Sequence, residues 1–364
     1  MKTHSMVLEG PRKIVMKEFE IPKIGTEEGL LKVIMTGVCA TDPKFYNAGF
    51  NAPLILGHEI FGSIAEIGKD ASRKYGVEKD DHVVIDVGVS CGYCQNCQAG
   101  NPKFCRNSYA YGTGTNSLVP PHIWGAYGEY MYIAPNSVVH KISKDVKPEA
   151  AVLINALIAN GIQWIRVHGQ ASIQDAVVIQ GAGPQGLSAV IAAKESGASP
   201  VMVTGILPAD EERFALAKEF GADYVFDAGS DDLVAKVKEI TNGKMADVVL
   251  DVTGSAEGIV KSLDLIKQQG TLVCASIIAA TKDGKDATAA IPIEKIVRNE
   301  IRFQGVFTSG GTSTIAAVKL VESEKYPFEK MVTHKFPLEK AEEALQAVGR
   351  EIPGIFPIKA VLIP

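Results

Sequence analysis

One turn limits what this chain can fold into more than any other feature. Asp175 to Ala193 reads DAVVIQGAGPQGLSAVIAA. Ala176 to Gln180 is short, apolar and rich in β-branched residues, as expected of a buried parallel strand. It meets Gly181-Ala182-Gly183-Pro184-Gln185-Gly186, a G-x-G-x-x-G turn. From Leu187 to Lys194 the side chains are small and apolar, which predicts a helix lying close to the sheet. In such a turn the first glycine allows the tight reversal and the second lets the backbone approach a pyrophosphate. The third lets helix and strand pack closely. The helix N-terminus offers free N–H groups and the positive end of its dipole to phosphate. A tight βα turn alone would need no ligand, but the preceding strand and following helix supply the context of a dinucleotide site.

From here strands and helices alternate. Strands are expected at 176–180, 200–204, 223–226, 246–251 and 271–277, with helices at 185–196, 210–220, 231–240 and 256–267. That order predicts a doubly wound parallel sheet with helices on both faces. Before it, Met6 to about Ile142 is strand-like with frequent Gly and Pro. The clearest strands are Leu30–Met35, His82–Val87 and Gly128–Ile133. Pro148 to Val167 is apolar without alternation and reads as a buried helix. Arg302–Val306 and Phe356–Ile363 look like β-structure again. The α/β chain is therefore expected to divide into a β-rich domain, 1–155 with 303–364, and an inserted dinucleotide-binding domain, 156–302.

Length and charge narrow the classes. The 364 residues suit two domains, and 46% hydrophobic with 22% charged residues are ordinary globular proportions. A net charge of −5 without a basic block argues against nucleic-acid or anionic-membrane partners. No uninterrupted apolar run has the length of a membrane span, and MKTHSMVLEG lacks the apolar core of a signal peptide. A cytoplasmic protein is expected.

Four of the six cysteines are clustered. Cys91, Cys94, Cys97 and Cys105 form C-x2-C-x2-C-x7-C, a spacing that lets backbone turns wrap four thiolates around a tetrahedral Zn²⁺. Such a shell has no open position, so this zinc would be structural, in a lobe spanning 88–108. The alternatives are two disulfides, disfavoured in a reducing compartment, or an iron–sulfur cluster. A second set, Cys39, His58 and Glu59, lies in GVCATD and GHE. A thiolate and an imidazole from separate loops suit a catalytic zinc with an exchangeable position. Asp42 is placed to accept from a ligating imidazole, and Thr41 to present a hydroxyl beside the metal.

With these pieces in order, the chain resembles the zinc-containing medium-chain alcohol dehydrogenase family over essentially its full length. The motifs are GVCATD (37–42), GHE (57–59), the cysteine lobe (91–105), GAYGEY (125–130) and GAGPQG (181–186). The resemblance implies a GroES-like β-barrel catalytic domain and a Rossmann domain. It also implies an alcohol or carbonyl substrate and assembly as a homodimer or homotetramer. Cys39 and His58 resemble the catalytic zinc ligands, Glu59 the neighbouring carboxylate that ligates in some members, and Thr41 the hydroxyl that opens the proton relay. Gly181, Gly183, Pro184, Gln185, Gly186, Gly205 and Thr253 are the expected coenzyme contacts.

Three positions depart from the family pattern. Asn155 stands where a third ligand, Cys or Glu, is usual. An amide oxygen is a weaker donor, so either Glu59 closes the shell, or the zinc is weakly held, or the site has lost its metal. Glu59 ligation is expected, with Asn155 nearby and able to bind through its oxygen or a water. Lys44 stands where many members carry a relay histidine, and an exposed ammonium is a poor proton shuttle at neutral pH. The second strand of the dinucleotide domain ends in Gly205 instead of the acid that holds the ribose hydroxyls. Its loss permits NADP, yet Asp210, Glu211 and Glu212 precede the first base, Arg213. NAD is expected, with NADP left open.

The expected activity is hydride transfer between an alcohol and the nicotinamide, with zinc as Lewis acid. In the loop from Arg106 to Gly125, Tyr109, Tyr111, Leu118, Ile123 and Trp124 could line an apolar pocket for a bulky or cyclic secondary alcohol, with His122 orienting a polar group. Equally, the loop could cover the domain surface or join a subunit contact. The rival readings are a metal-free enone or quinone reductase of the same superfamily, and a catalytically silent zinc protein that senses dinucleotide.

Overall fold

A computed structural model describes residues 2–50, 53–278 and 288–364. The chain forms two compact units, Met1–Ala156 with Val318–Pro364, and Leu157–Ala317.

The first unit is built on a seven-stranded sheet. Its central strand, Gly29–Val38, lies between Glu59–Ile67 and Lys359–Ile363, both antiparallel to it. Val332–Pro337 extends the sheet beyond Lys359–Ile363, and His82–Ile85 with Val139–Ile142 extends it on the other side. Tyr130–Ile133 also pairs with the central strand. A separate three-stranded sheet, Lys13–Glu20, Lys2–Gly10 and Leu54–Ile55, packs its apolar side chains into the same core. That core includes Val7, Leu31, Ile60, Tyr127 and Leu362. The cysteine lobe is closed at its base by the short ribbon Gly88–Val89 with Tyr109–Ala110.

The second unit is a six-stranded, wholly parallel sheet. Its strands run in the order Tyr224–Asp227, Val201–Gly205, Val177–Gln180, Ala246–Asp251, Ile266–Cys274, Arg302–Gly305. Order reverses beside Val177–Gln180, the strand that feeds the glycine turn, and such a switch point opens a crevice at the carboxyl ends of the strands. The strands read as apolar runs because both faces are covered.

One boundary differs from expectation. Arg302–Gly305 does not return to the first unit but pairs parallel with Ile266–Cys274, and the second unit continues through Ala317. A strand-like run such as RFQG announces a strand without saying which neighbour it joins. The helical stretch Pro148–His168 is long and apolar enough to cross a membrane by length and composition, but 78% of its most apolar window is buried in the fold. It is a core helix.

Candidate metal centres and dinucleotide site

Register assembles the first site. Gly37 pairs with Glu59 across the central antiparallel ladder. Cys39, two residues past Gly37, and His58, one residue before Glu59, therefore emerge at the same end of adjacent strands. The ligand atoms of Cys39, His58 and Glu59 all lie within 4.8 Å of one another. His58 and Glu59 are 7% and 1% exposed. Asp42, fully buried in the first turn of the helix Asp42–Ala48, stands behind the imidazole with Oδ1 3.5 Å from His58 Nδ1. Its Oδ2 accepts from the Cys39 backbone N–H at 2.9 Å and from the Tyr127 hydroxyl at 3.0 Å.

Sequence reading missed a fourth charge. Lys359 opens the strand beside the central one and is 4% exposed. Its ammonium donates to Glu59 Oε1 at 2.6 Å, lies 2.5 Å from Oε2, and donates to Val38 O at 3.0 Å. The signal was a single lysine in the apolar run IKAVLI. Gly37 makes room for this pair, since a Cβ there would stand 1.8 Å from Glu59 Oε2.

This donor set fits a divalent cation. With a neutral imidazole, one thiolate and two carboxylates against one ammonium leave two negative charges in a buried space, which a cation of charge two cancels. His58 Nδ1 and Asp42 Oδ1 are buried polar atoms without a hydrogen-bond partner, and Glu59 Oε2 has the Lys359 ammonium beside it. Burial alone would lower the His58 pKa, but Asp42 and the Cys39 thiol outweigh it and carry it up to about 10. Burial raises that of Asp42. A proton on the imidazole would cancel only one of the two negative charges that a divalent cation cancels in full.

The remaining residues fall as follows. Thr41 is half-buried at the head of the helix Asp42–Ala48, where its carbonyl accepts from Lys44 and Phe45 N–H. Lys44 is exposed. Asn155 is buried and donates from its amide nitrogen to Ile85 O at 2.8 Å.

In the cysteine lobe, the Sγ separations are 3.5 Å for Cys94–Cys97, 3.8 Å for Cys94–Cys105 and 4.0 Å for Cys91–Cys97. These are far too long for disulfides. Tetrahedral Zn–S bonds of about 2.3 Å put sulfurs ~3.8 Å apart, so the set fits zinc. Backbone N–H groups of Cys91 and Cys94 point at Cys105 Sγ and Cys91 Sγ, at 3.3 and 3.4 Å. The Cys97 and Arg106 amides bring the Cys94 thiol down to about 6, whereas burial and the neighbouring sulfurs push Cys97 up to about 11.

The loop after the lobe divides between the two readings of it. Tyr111 and Ile123 are wholly buried core residues and Leu118 is exposed. His122 Nδ1 is 2.9 Å from Ser117 O. Tyr109 and Trp124 stack with centroids 5.0 Å apart and line a cleft of about 630 Å³ beside Cys91. Cys39, Thr41, His58 and Glu59 are not among the residues lining it.

In the second unit the glycine turn is shaped for a ligand. Gly181 has φ of +112°. A Cβ at Gly186 would meet Gly181 O at 1.8 Å, while one at Gly183 would meet nothing within 4 Å. Gly183 caps the twelve-residue helix Pro184–Glu195, whose first position is proline. Open space above first-turn amides is what a pyrophosphate needs. Val252 flanks Gly181, and Thr253 Oγ1 is 3.2 Å from both carboxylate oxygens of buried Asp251, which Ser276 also contacts. At Gly205, a Cβ would stand 2.8 Å from Asp210 Oδ2. Asp210 accepts from Ile206 N–H at 2.8 Å and from Arg213 at 2.6 Å, and Asp227 Oδ1 accepts from Leu207 N–H at 3.2 Å. Two carboxylates therefore flank a strand end that carries no acid of its own.

A doubly wound dinucleotide fold joined to a β-rich unit with two metal-fitting donor sets defines a class, the zinc-type nicotinamide-dependent dehydrogenases. Residues 25–144 match the family model described as alcohol dehydrogenase GroES-like domain, and residues 184–323 match the one described as zinc-binding dehydrogenase. A probable alcohol dehydrogenase of Mycobacterium tuberculosis (strain H37Rv) is 37% identical over 370 residues, covering 99% of this chain and 98% of that protein. An L-threonine 3-dehydrogenase of Pyrococcus abyssi is 31% identical, covering 94% of each. The crystal structure of an alcohol dehydrogenase from Thermotoga maritima superposes with a TM-score of 0.88 at 27% identity, covering 100% of both chains. This chain belongs to the zinc-containing medium-chain alcohol dehydrogenase family, and it is an oxidoreductase.

Proposed function

We propose that this protein interconverts a secondary alcohol and its ketone with NAD, holding a catalytic zinc on Cys39, His58 and Glu59 and a structural zinc on Cys91, Cys94, Cys97 and Cys105. The observation that carries the reading is the convergence of Cys39 with the neighbouring pair His58 and Glu59, which lies on a different strand, within 4.8 Å. A zinc held there would supply Lewis acidity and a bound nicotinamide would supply the hydride acceptor. The protein supplies the rest. Asp42 faces His58 Nδ1 and so keeps Nε2 as the ligating nitrogen. Lys359 shares the Glu59 carboxylate, so Glu59 acts as a weakened third donor whose charge the ammonium already partly offsets. Thr41, two residues beyond Cys39, relays the substrate proton, its hydroxyl accepting it while passing its own proton on toward solvent. Gly181, Gly183, Pro184, Gln185 and Gly186 seat the pyrophosphate, and Thr253 borders it. Gly205 leaves the ribose corner open, while Asp227 repels a 2′-phosphate and Asp210 occupies Arg213, the nearby base, so that NAD is favoured. The threonine named for the P. abyssi relative is itself a secondary alcohol, which supports the substrate class. A homodimer or homotetramer is part of the proposal.

The test is reduction of NAD and NADP, in parallel, by a panel of primary, secondary and cyclic alcohols. Secondary alcohols with NAD are expected to give turnover at least about tenfold above NADP (about 1.4 kcal/mol). Cys39→Ala should abolish it while leaving NADH binding, read by fluorescence, within about twofold. Alcohol-independent behaviour of the two-zinc protein, or full turnover in Cys39→Ala, overturns the assignment.

A further inference from the structure

We propose that Tyr127 is a positioning residue for His58, its hydroxyl fixing the Asp42 carboxylate that faces the imidazole. The geometry is a chain of three buried groups. Tyr127 and Asp42 are both fully buried, so no water replaces a lost partner. Asp42 Oδ2 receives two donors, the Cys39 N–H at 2.9 Å and the Tyr127 O–H at 3.0 Å. Two donors on one oxygen fix the carboxylate plane, leaving Oδ1, which has no other hydrogen-bond partner, toward His58 Nδ1 at 3.5 Å. With Tyr127 O–H removed, one backbone N–H would hold the group and the plane could turn.

Tyr127 cannot easily move itself. Its N–H donates to Leu56 O at 2.9 Å and its carbonyl accepts from Met6 N–H at 2.8 Å. Its ring lies against Gly57, the residue before His58, where a Cβ would come within 2.5 Å of Tyr127 Cδ1. Gly57 has φ of +95°, so the backbone there is also suited to glycine. Burial and the Asp42 charge push the phenol well above its ordinary pKa, so it remains a donor. The ring thus rests on the segment that carries the ligand, while its hydroxyl holds the group that orients it.

The inference rests on the metal reading of Cys39 and His58, and the test separates the two. Zinc per chain is measured on wild type, Tyr127→Phe, Asp42→Asn and the double variant after dialysis against graded chelator. Wild type is expected to hold two zinc ions. Tyr127→Phe keeps the ring and is expected to lose one of them at about tenfold lower chelator, the low end for groups that support a metal ligand. The four-thiolate zinc should be unmoved. Asp42→Asn should lose its zinc more readily still, and the double variant no more readily than Asp42→Asn, because Tyr127 acts through Asp42. Cobalt substituted at the site should show a shifted ligand-field spectrum in Tyr127→Phe. Wild-type chelator resistance and spectrum in Tyr127→Phe, or additive losses in the double variant, overturn the role of Tyr127. One zinc in wild type overturns the metal reading and this inference together.

Discussion

The cysteine lobe and the Cys39–His58–Glu59 set gather metal-type donors in opposite ways. The lobe draws four identical ligands from one short stretch, and local turns bring their sulfurs to 3.5–4.0 Å. Three of its cysteines are half-buried, and backbone amides moderate their charge. The second set draws a thiolate, an imidazole and a carboxylate from the ends of adjacent strands. Around them it buries two further charged residues, Asp42 at 0% and Lys359 at 4% exposure. Turns alone can build a site that only needs to hold a metal. A site with mixed ligands and an exchangeable position requires the register of a sheet and countercharges to keep each donor in its place.

The largest expected effect separates the two sites directly. His58→Ala should lower turnover by roughly a thousandfold or more, since it removes a ligand from the proposed reacting centre, and should reduce zinc to one per chain. Cys97→Ser should also leave one zinc, but with turnover per intact molecule within about tenfold of wild type. Its damage should appear as proteolysis between residues 91 and 105, because metal binding there is local folding free energy. Similar turnover losses in both variants would erase the distinction between structural and reacting sites.

A smaller effect probes the countercharge. Lys359→Met leaves Glu59 buried without its cation, which costs about 3–5 kcal/mol in the zinc-free chain. Loaded zinc should recover much of that loss by attracting the same carboxylate. Denaturant unfolding with and without zinc measures the difference. An equal loss in both states would mean that Glu59 answers to Lys359 alone and leaves the metal to Cys39 and His58.

The same contrast explains what could be read from the chain. The lobe was legible because C-x2-C-x2-C-x7-C needs only local turns to close, and the parallel sheet because each of its strands and helices repeats one signal. Cys39 and His58 were legible one at a time, by motif. Their convergence depends on pairing Gly37 with Glu59 through a ladder that shifts register at Leu30/Leu31 and Val33/Met35, and no periodicity reports such shifts. Lys359 lay in a run read simply as strand. Tyr127 lay inside GAYGEY, a motif quoted whole, with its hydroxyl unassigned. The strand at 302–305 was visible but its parallel partner was not. Asn155 was expected near the zinc by family position alone, and its amide nitrogen donates to Ile85 O.

The finest probe compares one glycine from each site. Gly92, between two lobe residues, has φ of +79° and open space where a Cβ would go. Gly92→Ala should therefore cost about 1–2 kcal/mol through backbone conformation alone and leave zinc affinity within about twofold. Gly37 lies in a strand where alanine is conformationally ordinary, but its Cβ would stand 1.8 Å from Glu59 Oε2 and 3.0 Å from Glu59 Cβ. The carboxylate is the movable end of that contact, so Gly37→Ala should cost a comparable ~1–3 kcal/mol of overpacking. Its further effect is to swing Glu59 away from Cys39 and His58. Similar melting temperatures with a selective loss of zinc from the Gly37 variant would place Glu59 among the metal's partners. Two variants that melt alike and hold zinc alike would assign Gly37 and Glu59 to the strand pairing and the Lys359 ion pair instead.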